Sequence, residues 1–514
     1  MSNTESFVLE YSDKELYEFY RSFIYPRYAG DPNFAVRGDE ELTREEIRQI
    51  DEFWGKYSFA YPDIDYSSFR NFKNRTGTFD VRHIPGPIRA VHFQKFFNNP
   101  DYNVAYQNKG LLQLLYPGIR KPVTVLRRMN GIYYDEKYRP LTLKKAVELL
   151  LKLTAEGKHL IVKSSGLGGG RGIFFLKQGC TEEHVRNKIK SLGLNAFVAQ
   201  EVMIQSDFMK QFNPTSVNTI RITTLLFKKK VYPLAALIRV GKVGNQVDNY
   251  SQGGSLLGID METGTCMPYA LTHDNRKIST LPSGLVLDGE PLVIPNFDKV
   301  KKAVTRLHYY NPYINQISWD IALDEENEPV LIESNHGGMM QIHEATTGPM
   351  YGELTQEVLD EYLLNRFYVE FQAGDWLCEE YHDHIVLVRH TAASNTLVIP
   401  HRLKGKPVTR IRDGALDFYT KSTRLVCSKE LREQIPREVL RHFGSFIDEI
   451  ESCEETVEKV LDDAGKQTFK KYCTVFKWSI KRKLPLRALL KNMLNANTYY
   501  TIKKYRTKFI YRKA

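Results

Sequence analysis

The feature that most constrains this chain is His159-Leu-Ile-Val-Lys163-Ser-Ser-Gly166-Leu-Gly168-Gly169-Gly170-Arg171-Gly172-Ile-Phe-Phe-Leu-Lys177. Five glycines fall within the seven residues from Gly166 to Gly172, between two apolar, β-prone runs. Such a backbone is mobile, and its N–H groups can fold over phosphate oxygens. No Gly-Lys-Ser/Thr is present, which excludes a P-loop, and a G-x-G-x-x-G reading fails because Arg171 stands where the third glycine should be. Both of those motifs also open a helix, whereas Ile173–Lys177 reads as a strand. Strand, glycine loop, strand predicts a β-hairpin lid with Lys163 on the incoming strand. Taken alone, the same pattern describes a flexible surface hairpin equally well.

A second cluster adds chemistry. Ile317-Ser-Trp-Asp320-Ile-Ala-Leu-Asp324 and Val330-Leu-Ile-Glu333-Ser-Asn335 read as two strands joined by an acidic turn. Asp320 and Glu333 would lie on neighbouring strands, with Asn335 two residues beyond Glu333 on the same face. Two carboxylates and an amide oxygen form a hard-oxygen set suited to Mg2+ bridging nucleotide phosphates. The Ile-Ala-Leu and Val-Leu-Ile flanks predict a buried hairpin, where unpaired carboxylates are costly.

Around these clusters, short β-prone runs alternate with helical stretches from about 106 to 350. The strands are expected at His159–Lys163, Ile173–Lys177, Ala196–Val202, Thr219–Phe227, Val231–Val240, Ile317–Ala322 and Pro329–Glu333, and the helices at Leu141–Glu156, Thr181–Leu192 and Asp298–Tyr309. Residues 1–105 read as mainly helical. Ser12-Asp13 would cap a helix to Tyr25, and Thr43-Arg44-Glu45-Glu46 would open another with Ile47, Ile50, Phe53, Trp54 and Tyr57 at helical spacing. Pro85-Gly86-Pro87 is expected to break that pattern. Thr355–Phe371 reads as a helix closing the body, 381–426 as a small strand-rich module, and 427–514 as helical. Within the module, Ile399–Ile411 resembles one turn of a leucine-rich repeat, which must pack on a neighbour because one copy cannot bury its apolar face.

The order of these elements resembles the ATP-grasp superfamily, an α+β clamp of two subdomains closing on ATP, over about 106–370. The resemblance implies that Lys109 and Lys163 contact phosphate, and that Gly168, Gly169, Gly170 and Arg171 belong to the lid. It implies a hinge at Gln200, Glu201 and Val202 for adenine, with Asp207 as a nearby acidic residue for the ribose, and a metal set of Asp320, Glu333 and Asn335. The implied cofactors are ATP and one or two Mg2+ ions, with Mn2+ as a substitute. Ser216-Val-Asn218-Thr-Ile-Arg221 and Arg239 with Asp248-Asn249…Gly253-Gly254 resemble the carboxylate–amine ligase branch. There Arg221, Arg239 and Asn249 would hold the transferred phosphate and the substrate carboxylate. The bland reading of the two arginines is ion pairing at strand edges. Phe79-Asp-Val-Arg82-His-Ile-Pro85, Leu114-Leu-Tyr-Pro117 and Arg127-Arg-Met-Asn130-Gly131 extend the likeness to the sugar-transfer-associated ATP-grasp family, over about Glu45 to Leu364.

The implied activity is an amide-forming ligase that passes through an acylphosphate and modifies a surface-polysaccharide sugar or its precursor. Its substrates would be a small carboxylate and an amine, such as an amino acid and a sugar. Two other functions fit: a phosphotransferase acting on a sugar hydroxyl, and a nucleotide-responsive adaptor at the membrane surface without turnover. His343 is a candidate base for the amine, although a lone histidine is more often structural.

Charge bears on partners. Of the net +11, all the excess lies in the last 49 residues, which carry fifteen Lys or Arg and no acid; the remainder holds 57 basic against 61 acidic residues. Nine aromatics interleave in this basic tail from Lys466. An anionic membrane surface or an acidic partner fits it, as does a helix packed on the mildly acidic body; nucleic acid is disfavoured because no recognised module is present. Six scattered cysteines without paired spacing, a polar acidic Met1–Glu10 and no apolar run of about 20 residues point to a cytoplasmic protein, peripheral at the inner membrane face if the tail meets lipid.

Overall fold

The computed structural model describes residues 40–89, 93, 97–165, 172–193, 196–244, 250, 253–273, 276–336, 340–391, 396–416, 424–441, 443 and 446–448. Asn249, Gly168, Gly169, Gly170, Arg171, the Ser12–Tyr25 segment and the basic tail lie outside them, as do Cys453 and Cys473. The chain divides into two compact units: one is 24–53 with 65–358, and the other is 1–23, 54–64 and 359–514.

The larger unit opens with helices. α1 (Arg44–Trp54) starts from a reciprocal cap, in which the Thr43 N–H donates to Glu46 Oε2 at 2.6 Å and the Glu46 N–H donates to Thr43 Oγ1 at 3.2 Å. α2 (Tyr66–Thr76) is capped by Asp65, and Gly77 closes it at φ +79°. The Pro85-Gly86-Pro87 segment, expected to break helix, instead starts a helical turn at Gly86–Ile88. Proline is tolerated there because the first helical N–H groups have no intrahelical acceptor to lose. α3 covers Pro100–Tyr106.

Two sheets follow. The first is built from β1 (Thr124–Met129), β2 (Ile132–Asp135), β3 (Pro140–Leu141), β4 (Leu160–Ser164), β5 (Ile173–Leu176) and β6 (Phe197–Glu201). Its strand order is β3-β2-β1-β6-β4-β5, and every neighbouring pair is antiparallel. Helices α4 (Leu143–Ala155) and α5 (Glu182–Ser191) bury Ala146, Val147, Leu150, Val185 and Ile189 against Leu126, Leu160, Val162 and Ala199. Thr142 and Thr181 cap these helices by accepting N–H groups three residues on.

The second sheet has β7 (Thr219–Phe227), β8 (Lys230–Val240), β9 (Ser255–Ile259), β10 (Cys266–Thr272), β11 (Lys277–Ile278), β12 (Gln316–Leu323) and β13 (Pro329–Asn335), ordered β11-β10-β9-β8-β7-β12-β13. Helix α6 (Phe297–His308) covers one face. Its Phe297, Val300, Val304 and Leu307 join Ile220, Ile222, Ile238, Ile317, Trp319 and Ile321 in one core. Strand alternation therefore sends Arg221, Thr223, Ser318 and Asp320 to the opposite face. Helix α7 (Met340–Thr347) lies on that side, where His343 meets Thr223.

The smaller unit corrects two expectations. The helix foreseen over Thr355–Phe371 ends by Leu364, and a strand, β14 (Val369–Ala373), begins inside the foreseen span. Its β-prone Val369 and Phe371 pair with β15 (Trp376–Glu380), an interaction that local periodicity cannot report. Among the described residues after Lys429, a stretch expected to be helical, there are the short helical turns Lys429–Arg432 and Arg437–Leu440 and a strand at Phe446–Asp448. Strand β16 (Ile385–His390) runs parallel to Lys406–Ile411. Thr396–Val398, Arg424–Cys427 and Phe446–Asp448 form a second parallel ladder. The repeat-like Ile399–Ile411 segment thus does stack on parallel neighbours, with Ile399, Leu403, Val408 and Ile411 in a shared core.

Candidate active site

The polar face of the second sheet is set by register. Asp320 lies opposite Arg221 on one side and Glu333 on the other, and Ser318 lies opposite Thr223 and Asn335. Cross-strand neighbours share a face, so six polar side chains converge there. Asp320 is almost fully enclosed, at 1% exposure. Arg221 chelates it, with Nε to Oδ1 and Nη2 to Oδ2 both at 2.8 Å, and Arg239 Nη1 donates to Oδ2 at 2.8 Å. Burial pushes this carboxyl above its ordinary range, while the two guanidiniums pull the other way.

Glu333 pairs with Lys109, Oε2 to Nζ at 2.9 Å, and the two side chains keep 24% and 23% of their surface exposed. Burial would raise Glu333, but the Lys109 ammonium overrides it and holds the carboxyl well below the usual range. Reciprocally, the Glu333 charge holds Lys109 above its ordinary value against burial. Asn335 Nδ2 lies 3.3 Å from Asp320 Oδ2 and 3.4 Å from Glu333 Oε1, so the carboxamide joins both acids. Asp320, Glu333 and Asn335 are thus neighbours, and Lys109, Arg221 and Arg239 lie beside them.

Lys109 is delivered by the turn Lys109–Leu111, which follows α3 and is capped by Asn108 Oδ1 accepting from the Gly110 N–H at 2.9 Å. The first sheet steadies this turn. Tyr138 Oη donates to the Gly110 carbonyl at 3.0 Å. The Arg127 guanidinium stacks 4.1 Å from the Tyr138 ring and donates from Nη1 to the carbonyls of Asp135 and Glu136. A Cβ on Gly110 would come within 2.6 Å of Met129 Sδ, which explains glycine there.

The other expected residues lie on the first sheet or its exit. Lys163 is half-buried on β4, opposite Ile173 and Val198, at the base of the glycine loop. Gln200 is buried, its Nε2 donating to Thr124 Oγ1 at 3.0 Å. Glu201 is ion-paired with Lys158 at 2.9 Å, and the Val202 N–H is taken by the His159 carbonyl at 2.9 Å. Asp207 is exposed and paired with Lys210 at 2.7 Å.

Sequence reasoning missed several positions. Gln205 donates to the Asn213 and Ser216 carbonyls and accepts from the Asn218 N–H, locking the connection into β7. Thr223 Oγ1 lies 2.8 Å from Ser318 Oγ and 3.2 Å from His343 Nε2. Burial drives His343 down to about 3. The one available signal was parity: Thr223 and Ser318 each sit two residues from a charged site residue.

The family described as sugar-transfer associated ATP-grasp matches over residues 89–358, more than half of the chain, and the chain belongs to that family. No curated protein matches it in sequence. Among solved structures it is similar to D-alanyl-alanine synthetase A from Vibrio cholerae, at 13% identity and a TM-score of 0.32, over 52% of this chain and 66% of that one. It is similar to an L-amino acid ligase from Bacillus licheniformis at 16% identity and a TM-score of 0.28, over 52% of this chain and 50% of the other. The ATP-grasp ligase PsnB, solved with a minimal precursor, Mg and ADP, matches at 16% identity and a TM-score of 0.29, over 51% of this chain and 62% of its own. Each match thus takes in less than two thirds of the other protein.

Proposed function

We propose that this chain is an ATP-dependent carboxylate–amine ligase that modifies a sugar, or a sugar-bearing precursor, with an amino acid or similar group. The observation that supports it is the charge arrangement on the second sheet. Three cations, Lys109, Arg221 and Arg239, gather with two carboxylates, Asp320 and Glu333, on one sheet face. Cations fixed in advance in this way suit the charge of a transferring phosphoryl group.

In this reading Lys109 and Lys163 bind the triphosphate, the hinge at Gln200, Glu201 and Val202 takes the base and Asp207 the ribose. Gly168, Gly169, Gly170 and Arg171 exclude water. Because the Val202 N–H is already bonded, recognition of adenine edges falls to neighbouring backbone groups. Arg221 and Arg239, fixed by Asp320, hold the substrate carboxylate and the phosphate in transfer, with Asn249. A carboxylate oxygen forms a bond to the γ-phosphorus as the bond to ADP breaks. The amine nitrogen then bonds to the acyl carbon, inorganic phosphate leaves, and the amine gives up a proton. Positioning and charge stabilisation carry both steps, so no side-chain nucleophile is needed.

The carboxylates of Glu333 and Asp320, joined by Asn335 Nδ2 in this structure, would hold Mg2+, or Mn2+ as a substitute, with Asn335 adding its carboxamide oxygen once its side chain is turned over. When bound, the ion would neutralise phosphate charge and fix its geometry. The test is ATP consumption with Mg2+ against a panel of amino acids and amino or uronic sugars, with ADP and free phosphate read separately. ADP and phosphate rising together with one substrate pair support the ligase. ADP without phosphate marks a phosphotransferase, and ATP binding without turnover marks the adaptor.

A further inference from the structure

The face of the first sheet turned away from α4 and α5 carries a buried arginine that the proposed reaction leaves unused. Leu126, Leu160, Val162 and Ala199 pack on the helices, so alternation turns their strand neighbours to the other side. Register lines those neighbours up across four strands. Lys163 on β4 lies opposite Val198 on β6, Val198 opposite Arg127 on β1, and Arg127 opposite Tyr134 on β2. Lys163 and Arg127 thus share a face, two strands apart. Met129 follows Arg127 by two residues on that face and touches the Lys109–Leu111 turn, where a Cβ on Gly110 would meet its Sδ. The turn that delivers Lys109 therefore lies over the face that carries Lys163.

Two costly features meet at this contact. Arg127 is buried at 1% exposure and makes no ion pair among the described residues; its charge is met by the Asp135 and Glu136 carbonyls and by the Tyr138 ring at 4.1 Å. A buried cation without a counter-ion is expensive. Tyr138, in the turn between β2 and β3, sits at φ +59°, a left-handed conformation that bulky residues rarely adopt. Asp135 imposes it: Oδ1 accepts from the Lys137 and Arg139 N–H groups, both at 2.9 Å, and the Asp135 carbonyl accepts from the Tyr138 N–H at 3.1 Å. Glycine or asparagine would make this turn more cheaply, but neither has a ring to stack on Arg127 or a hydroxyl to reach Gly110. Strain that the surroundings over-determine gathers at functional sites. Here both costs serve one bond, from Tyr138 Oη to the Gly110 carbonyl at 3.0 Å, one residue from Lys109.

We infer that Arg127 and Tyr138 form a strut that fixes Lys109 relative to Lys163, and that both are positioning residues acting on bound ATP only through Lys109. The inference rests on the ligase reading, which makes the two lysines phosphate contacts. It extends that reading by assigning their spacing to one face of the first sheet. Lys109 is held from two sides: its backbone through the Tyr138 bond, and its ammonium by Glu333 at 2.9 Å. The backbone anchor matters because the ammonium must be shared between Glu333 and an arriving phosphate, and the strut keeps its origin in place during that exchange.

The experiment measures ATP affinity by calorimetry on the full chain with Mg2+, for wild type, Tyr138→Phe, Lys109→Ala and the two changes together, with ATP raised until each form saturates. Tyr138→Phe keeps the ring on Arg127 and removes only the hydroxyl. It should weaken ATP about threefold to tenfold, the scale of one hydrogen bond. On the Lys109→Ala background the same change should cost less than about twofold, because no ammonium is left to place. A merely structural role would cost the same on both backgrounds, and that result overturns the inference, as does equal ATP affinity in wild type and Tyr138→Phe. Either result leaves ATP binding by the wild type, and the ligase reading, intact. A wild type that binds no ATP overturns both.

Discussion

The Asp320 carboxylate is the keystone of the cationic face, and replacing it tests that directly. Asp320→Asn keeps the shape and removes the charge. Asp320 now accepts three charge-assisted bonds at 2.8 Å, two from Arg221 and one from Arg239. An asparagine offers one acceptor oxygen and turns an NH2 group toward guanidinium donors. Arg221 and Arg239 then lose the carboxylate that binds them both, and Glu333, the other acid of the cluster, is already paired with Lys109. Removing one partner of a buried pair typically costs about 3–5 kcal/mol. For the larger unit, 24–53 with 65–358, at about 2.1 cal/mol/K of unfolding entropy per residue, that corresponds to a melting point lower by about 4–7 °C.

Thermal unfolding followed by circular dichroism measures the shift, and phosphate release measures activity. Pairing the change with Arg239→Leu should return part of the stability, by about 0.5–3 kcal/mol, because one uncompensated cation goes with it. A single variant melting within about 1 °C of wild type would refute the reasoning, since a keystone charge cannot be lost at less than about 1 kcal/mol.

The remaining expectations are narrower. Glu333→Gln should abolish ATP turnover with an unchanged far-ultraviolet spectrum; wild-type rates would remove Glu333 from the metal set. Gly258→Ala places a Cβ 2.8 Å from the Thr346 carbonyl of α7, so β9 and α7 must separate, at about 1–3 kcal/mol in a denaturant titration; an unchanged midpoint would show that α7 moves freely. Stability should also fall with pH. Burial holds His83 and His308 near about 4, and His336 and His343 near about 3, all below the ordinary 6.5. Each therefore binds a proton more readily unfolded than folded, so its contribution is present above about 6.5 and is lost as pH falls toward the folded value, at up to about 1.4 kcal/mol per pH unit each. Glu344, pushed up to about 8 by burial, acts in the opposite sense and gains on acidification. Urea midpoints between pH 7.5 and 5.5 should decline, and a flat profile would contradict the burial of these imidazoles.

How much of this was legible in the sequence depends on how local the cause is. Thr219–Phe227 forms the strand expected from its own β-prone residues, and Phe297–His308 the helix expected from its apolar spacing. The closeness of Asp320 and Glu333 follows from one short hairpin, but their direct pairing does not: a bulge between Ile321 and Asp320 shifts the register that the turn sets, and only the structure shows it. The bond from Arg239 to Asp320 could not be read either: it spans two strands and 81 residues, and depends on β7 lying between β8 and β12. Strand alternation identified both residues as facing the same side only once that order was known. Likewise Val369–Ala373 reads as the end of a helix until β15 arrives to pair with it. Tertiary partners decide such cases, and propensity does not.

The same distinction explains why the two arginines were ambiguous. As strand residues they are as consistent with surface ion pairs as with substrate contacts, and in the structure both are bonded to Asp320. A carboxylate at 1% exposure could not persist on a sheet beside α7 without them, and two guanidiniums could not gather there without it. Asp320 therefore fixes where positive charge sits, and Lys109, brought in from outside the sheet through Glu333, adds the third cation. Cations arranged in advance, at no reorganisation cost when an anion arrives, are the electrostatic condition for phosphoryl transfer. Three lie within one hydrogen-bonded cluster here, supplied by three separate segments of the chain, and the sheet register is what brings them together.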